Sequence, residues 1–280
     1  MNTSYSSGPV VVGIDGSETA LDAVRFAVQE ARGRGVSLRL VHVIDRHAMA
    51  ETVYGAPDVD GDYARAALSR AVDVAAEADP AVAVESVVLQ GRPESVMSTE
   101  AGSASLLVLG TTTGSAVAAW VLGSMVGAVV EASPHPVAIV RHFDAQGHGP
   151  VVAALGDIDV SATDVVVAQA FDEASIRETS VLAVHAQAVS SILASALSGP
   201  VDGLHPESAM DVRLEPFGAD YPDIRVASVY AEADSGSELV AVSETAQLMV
   251  VGHERDRVPG RTLTAVLRHA HCPVLVVPHA

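Results

Sequence analysis

The stretch Pro9-Val10-Val11-Val12-Gly13-Ile14-Asp15-Gly16-Ser17 decides how the chain folds. A β-branched apolar run ends in a glycine-containing turn, and Ser17 then begins a segment in which apolar residues recur at helical spacing as far as Arg32. Gly33 follows the last predicted turn of this helix. The stretch therefore predicts a buried strand that leads directly into an amphipathic helix, as in doubly wound α/β domains.

The same alternation continues through the first half of the chain. The predicted strands are nearly continuous apolar runs at 10–14, 37–44, 83–90, 105–109 and 136–141. The predicted helices lie at 17–32, 60–78, 93–101 and 123–132. Continuous apolar strands that alternate with helices predict a parallel sheet covered on both faces, with its ligand site at the carboxyl ends of the strands.

The second half repeats the first. Four blocks recur in the same order, namely 9–13 with 150–154, 38–43 with 181–186, 106–110 with 248–252, and 134–140 with 271–277. The repeat predicts strands near 151–155, 179–185, 224–231, 247–251 and 274–277, and helices near 160–174, 206–217, 236–245 and 261–270. A tandem duplication follows. We predict two domains, 1–145 and 149–280, joined by a linker at Phe143–Gly149.

The composition excludes several classes of function. The 280 residues carry 16 basic side chains, all arginine, against 35 acidic ones, for a net charge of −19. The missing lysine excludes a Walker A lysine and a Schiff-base lysine. Nucleic acids and anionic membranes bind proteins that present a basic surface. Because this chain is strongly acidic, we expect neither as a partner.

The sequence predicts a cytoplasmic protein without a metal site. Met1–Pro9 is polar and lacks the basic start of a signal peptide, and the sequence has no apolar run long enough to span a membrane. The single cysteine, Cys272, cannot form an internal disulfide. The neighbouring histidines His269, His271 and His279 match no zinc-ligand spacing, and we expect no metal site.

Three turns after predicted strands are candidates for a binding site. The Asp15 carboxylate is suited to accept hydrogen bonds from a ligand, and the alternative is that Asp15 or Ser17 only caps the helix. Gly91 either permits close approach of a ligand or is an ordinary turn glycine. The segment Gly110-Thr-Thr-Thr-Gly114 and the helix start at Gly123-Ser124 suit phosphate, or form a plain loop with a serine cap.

Together these motifs resemble the universal stress protein family. The residues that carry the resemblance are Gly13–Ser17, His42–Asp45, Gln90–Pro93, Gly110, Leu122–Ser124 and Pro134–Val137. The resemblance covers nearly the whole chain as two tandem modules. It implies a five-stranded parallel sheet of order 3-2-1-4-5 in each module and an adenine-nucleotide site, although only some family members bind ATP.

The resemblance also implies a role for particular residues of the first module. Asp15 matches the aspartate that contacts the nucleoside end of the ligand, and Val43 matches the residue whose backbone reads adenine. The other predicted binding residues lie at turns and are Gly91, Gly110, Thr113, Gly114, Gly123 and Ser124. Two positions depart from the family pattern. Thr113 stands where the phosphate loop keeps a glycine, with Gly114 one residue late, and Val126 replaces a second hydroxyl.

The second module departs further, and we expect it to bind no nucleotide. Gly156 occupies the position of the aspartate, and Ala233 replaces Gly91. Gly252 and Gly260 are 8 positions apart where the first module has 13, so the loop is five residues shorter, and Arg261 stands where the first module has Ser124.

Three functions compete. We predict a stress-response or regulatory protein that binds ATP, with or without Mg²⁺, in the first module. The alternatives are a nucleotide-free structural or interaction protein and a slow ATP hydrolase. Hydrolysis is the weakest because no general base is placed at a phosphate, so we predict that the protein is not an enzyme.

The last strand of each module predicts how the two modules pack. Both strands, 136–140 and 273–277, are apolar edge candidates. We expect the two modules to pack through them as an intramolecular pseudo-dimer. The sequence leaves open a regulatory protein partner and homo-oligomers beyond that pseudo-dimer.

Overall fold

A computed structural model of the chain describes residues 7–45, 59–111, 125–156, 160–186, 214–231 and 235–279. These residues belong to two compact units. One lies within 5–145 and 255–258, and the other within 146–254 and 259–280. The predicted domain limits and the predicted pseudo-dimer stay predictions.

The N-terminal module contains a parallel five-stranded sheet. Its strands are β1 (Val10–Gly13), β2 (Leu38–Ile44), β3 (Val84–Gln90), β4 (Leu106–Gly110) and β5 (Val137–Val140). They pair in the order β3-β2-β1-β4-β5, and every pair is parallel. The predicted sheet order is confirmed. Every residue of β5 and all but the last of β1 and β4 are buried, as the apolar runs predicted.

The helices of this module lie close to their predicted positions. They are α1 (Glu18–Arg34), α2 (Val59–Ala78), α3 (Pro93–Ala101) and α4 (125–132). Ser17 caps α1 as predicted, and its side chain accepts a hydrogen bond from the Ala20 amide. The expected end at Gly33 is wrong by two residues. Gly35 adopts φ 67° and donates its N–H to the carbonyls of the last turn, so it is Gly35 that terminates the helix.

The C-terminal module repeats the same topology. Its strands are β6 (Val151–Leu155), β7 (Val181–Ala186), β8 (Val226–Ala231), β9 (Leu248–Glu254) and β10 (Val274–His279), in the parallel order β8-β7-β6-β9-β10. Its helices are α5 (Val160–Ile176), α6 (214–220), α7 (Ser235–Val242) and α8 (Arg261–His269). The strand β9 runs three residues further than predicted. Residues 206–213 of the predicted helix 206–217 lie outside the described residues.

Each module buries an ion pair at the C-terminal end of its first helix. Glu30 and Arg34 in α1 are 2.9 Å apart. Glu173 in α5 and Arg177, which directly follows α5, are 2.5 Å apart. All four side chains are at most 1% exposed. The sequence predicted neither pair, because i,i+4 pairs of this type usually lie on a solvated helix face.

Cys272 is buried just before β10, and burial raises the pKa of its thiol to about 12. We therefore predict that the native protein resists a thiol reagent such as dithionitrobenzoate at pH 8, because the thiolate is the reactive species. The unfolded thiol ionises near pH 8.5, so this group stabilises the fold fully below that pH and loses its contribution as the pH rises toward 12. Rapid labelling of the native protein at pH 8 would contradict the prediction, and labelling in urea is the positive control.

Two further findings concern the described part of the chain only. None of its helices combines the length and the apolar character needed to cross a membrane. Nor do three or more histidine, cysteine, aspartate or glutamate side chains in this part come together in a way that could hold a metal ion.

Candidate functional site

The carboxyl edge of the N-terminal sheet contains a topological switch point. The strand β1 lies between β2 and β4, and the chain proceeds outward from it to β3 on one side and to β5 on the other. In open parallel sheets the crevice at such a point is the usual ligand site. The described residues Asp15, Val43, Gly91 and Gly110 all lie at this edge. The other predicted site residues, Thr113, Gly114, Gly123 and Ser124, lie outside the described residues, so their roles stay predictions.

The strand β2 extends beyond the end of β1 and leaves part of its edge open. The last residue pair of the two strands is Gly13 with Val41, and the Ile14 amide donates to the Val41 carbonyl at 2.8 Å. Backbone groups alternate along a strand, so the N–H and C=O of Val43 point the same way as those of Val41. They therefore face the space beyond β1. The Val43 backbone thus offers a donor and an acceptor side by side.

The Asp15 side chain is exposed and organises the turn after β1. One of its carboxylate oxygens accepts hydrogen bonds from the Ser17 amide at 2.9 Å and from the Ser17 hydroxyl at 2.6 Å. Ser17 in turn caps α1, so the capping alternative from the sequence is realised by Ser17. Among the described residues, the second carboxylate oxygen of Asp15 has no hydrogen-bond partner. It remains available as an acceptor for a ligand.

A tyrosine that sequence reasoning missed lies on this turn. The Tyr63 hydroxyl, from α2, donates to the Asp15 carbonyl at 2.8 Å. Gly16 has φ 86°, and a Cβ there would collide with that hydroxyl. Gly16 is therefore required twice, for its backbone conformation and for the close approach of Tyr63.

The predicted glycines Gly91 and Gly110 have structural roles in this fold. Gly91 has φ 148° and donates its N–H to the Ile44 carbonyl at 3.1 Å, so it closes the turn after β3 against the end of β2. This geometry favours the turn-glycine alternative. A Cβ on Gly110 would lie 2.5 Å from the Thr19 carbonyl oxygen and 2.7 Å from the Ala20 nitrogen. Gly110 therefore lets the first turn of α1 pack directly on β4.

The carboxyl ends of β4 and β5 carry polar groups that the sequence analysis did not select. Thr111 is buried, and its hydroxyl has no hydrogen-bond partner among the described residues. Burial lowers the pKa of Arg141 to about 10, which leaves its guanidinium charged at neutral pH. The predicted phosphate segment begins at Gly110, directly before Thr111. A hydroxyl without a partner among the described residues and a cation therefore lie where that segment leaves the sheet. Val126 is buried in the core, and its side chain offers no donor.

The equivalent edge of the C-terminal module differs at the start of its last helix. The strand β6 pairs with β7 as far as Leu155 with His185, and Ala186 is the last described residue of β7. Helix α8 begins at Arg261 after Gly260, which has no side chain with which to cap the helix.

Comparison with known proteins gives one family. The profile of the Universal stress protein family matches residues 7–141 and 150–278. Universal stress protein Rv2005c of Mycobacterium tuberculosis is 32% identical over 284 residues, which is 95% of this chain and 96% of the relative. Universal stress protein Rv1996 of the same species is 28% identical over 306 residues, with 99% and 96% covered.

A solved structure of another protein has a similar fold. The crystal structure of a universal stress protein from Archaeoglobus fulgidus aligns with a TM-score of 0.77 at 17% identity, and the alignment covers 99% of this chain and 98% of that one. Two matched modules and the confirmed sheet order lead to the same conclusion: the chain belongs to the universal stress protein family, as a tandem pair of modules.

Proposed function

We propose that this protein is a regulatory stress protein that binds one adenine nucleotide, ATP, in its N-terminal module. The observation that carries the proposal is the open edge of β2 at Val43, beside the Asp15 turn and at the switch point of the sheet. The same proposal makes the protein a binding protein rather than an enzyme.

The chemistry of the open edge suits adenine. The Val43 backbone presents an N–H donor and a C=O acceptor that point in one direction, and adenine carries an amino donor next to a ring nitrogen acceptor. A base placed at this edge leaves its ribose near the second carboxylate oxygen of Asp15, which is suited to accept hydrogen bonds from the ribose hydroxyls.

The residues at the other end of the site suit the phosphates. The Thr111 hydroxyl lies at the carboxyl end of β4, where the loop with Thr113, Gly114, Gly123 and Ser124 begins. The charged Arg141 lies at the carboxyl end of the neighbouring strand β5. The chain contains no lysine and has a net charge of −19. We therefore expect Mg²⁺ to help binding by offsetting phosphate charge.

The test is calorimetric titration of the full chain with ATP and Mg²⁺. We predict one site per chain, and we expect Asp15→Ala to weaken binding by about tenfold, since one or two charge-assisted hydrogen bonds are lost. Asp223→Ala removes an exposed carboxylate from the C-terminal module and is the matched control. Two equivalent sites, or unchanged binding by Asp15→Ala, would show that the site is misplaced. No binding at all would favour the nucleotide-free alternative.

A further inference from the structure

Tyr63 is held in place by polar and aromatic contacts although half of it faces solvent. Its relative exposure is 53%, yet its hydroxyl is fixed by the Asp15 carbonyl and its ring lies 5.9 Å from the His42 ring in an edge-on arrangement. His42 is itself buried, and its Nδ1 lies 2.7 Å from the Ile14 carbonyl oxygen. Helix α2 is therefore joined to the turn after β1 through an ordered aromatic pair.

This pair borders the open edge of β2. His42 directly precedes Val43, and the Tyr63 hydroxyl bonds to the backbone of the residue whose carboxylate faces the site. Gly16 leaves room for the phenol directly against the turn. The exposed part of the ring thus lies next to the groups to which we assign the nucleoside.

An exposed aromatic ring at this place exceeds what the fold requires. The residues of α2 that pack into the core are small or aliphatic, mainly alanine, with Leu68 and Val74. Aromatic rings beside a base-binding edge gain affinity by packing on the π-face of the base, and they do so at low cost when their orientation is already fixed.

We propose that Tyr63 is a ligand-contacting residue: its ring packs against the purine of the bound nucleotide, and its hydroxyl fixes the Asp15 turn. This inference rests on the proposed function of the same site. It adds a side chain from α2 to a site otherwise formed by the turns after the strands.

The first part of the test compares two variants in calorimetric titrations with ATP. Tyr63→Ala removes the ring, and we expect a loss of affinity of about tenfold or more. Tyr63→Phe keeps the ring and loses only the bond to Asp15, so we expect a loss of about threefold. The control is Tyr230→Ala, because Tyr230 forms the tyrosine–histidine pair of the C-terminal module, 5.4 Å from His185. That variant should bind ATP like the wild type.

The second part uses the unmutated chain, so that a folding defect in Tyr63→Ala cannot obscure the answer. In protein labelled with 3-fluorotyrosine, the fluorine resonance missing from Tyr63→Phe identifies Tyr63. We expect that resonance to shift with ATP along the calorimetric binding curve while the Tyr230 resonance stays fixed. If wild type binds ATP but the Tyr63 resonance stays fixed, the inference is wrong and the proposed function stands. If wild type gives no ATP binding, the proposed function fails and the inference fails with it.

Discussion

Replacing Arg177 with alanine is expected to lower the free energy of unfolding by about 3–5 kcal/mol. The Arg177 guanidinium contacts the Glu173 carboxylate at 2.5 Å, and Gln169 donates to the other carboxylate oxygen at 2.8 Å. Both members of the ion pair are at most 1% exposed. Without the arginine, the carboxylate stays buried and loses its counter-charge, which is the costly half of a buried ion pair. The shift of the urea unfolding midpoint measures the effect.

Two matched variants separate this cause from a general helix effect. In Arg65→Ala the broken pair with Asp62 has side chains 63% and 72% exposed, so we expect a change of at most about 1 kcal/mol. The double variant Glu173→Leu, Arg177→Met removes both charges and should recover most of the loss. If Arg177→Ala were as mild as Arg65→Ala, the buried pair would not have the energetic role that its burial indicates.

Gly110→Ala is expected to destabilise the N-terminal module by about 3 kcal/mol. The new methyl group would meet the Thr19 carbonyl oxygen at 2.5 Å and the Ala20 nitrogen at 2.7 Å, and both atoms are backbone in the first turn of α1. Relief therefore requires a shift of the whole helix away from β4. Denaturant unfolding followed by circular dichroism measures the loss.

The control for Gly110 lies in α4. A Cβ on Gly127 meets no atom within 4 Å, so Gly127→Ala should be neutral or stabilise by up to about 1 kcal/mol, because alanine favours a helix over glycine. A mild effect at Gly110 would contradict the packing role. A mild effect would instead favour the role in nucleotide binding that the family resemblance implies for Gly110.

Patterns that extend over whole elements made the fold predictable. Buried strands such as β1 and β5 are apolar at every position, and the four repeated blocks gave a second line of evidence for four of the five strands in each module. Helix α3 has the predicted bounds, Pro93–Ala101, because proline marks its start. The end of α1 was misplaced because two glycines lie close together, and local sequence does not tell which one adopts positive φ.

The candidate site could be predicted only where it follows strands. Asp15 was predicted because turns at the carboxyl ends of parallel strands meet at one edge. Val43 was predicted only because the family resemblance implies that its backbone reads adenine. Tyr63 is 48 residues from Asp15, and its contact depends on how α2 packs against the first turn, which no short motif records. The burial of Thr111 and Arg141 likewise depends on neighbouring strands rather than on their own sequence context.

The central claim is that the open edge of β2 binds adenine, and the backbone amide of Val43 tests it most directly. In a nitrogen-15 correlation spectrum of the full chain titrated with ATP and Mg²⁺, the account predicts that the Val43 amide shifts and saturates at one ATP per chain. The Ala186 amide, at the equivalent position of the C-terminal module, should not move. An unmoved Val43 amide at saturating ATP, or an Ala186 amide that moves equally, would contradict the account.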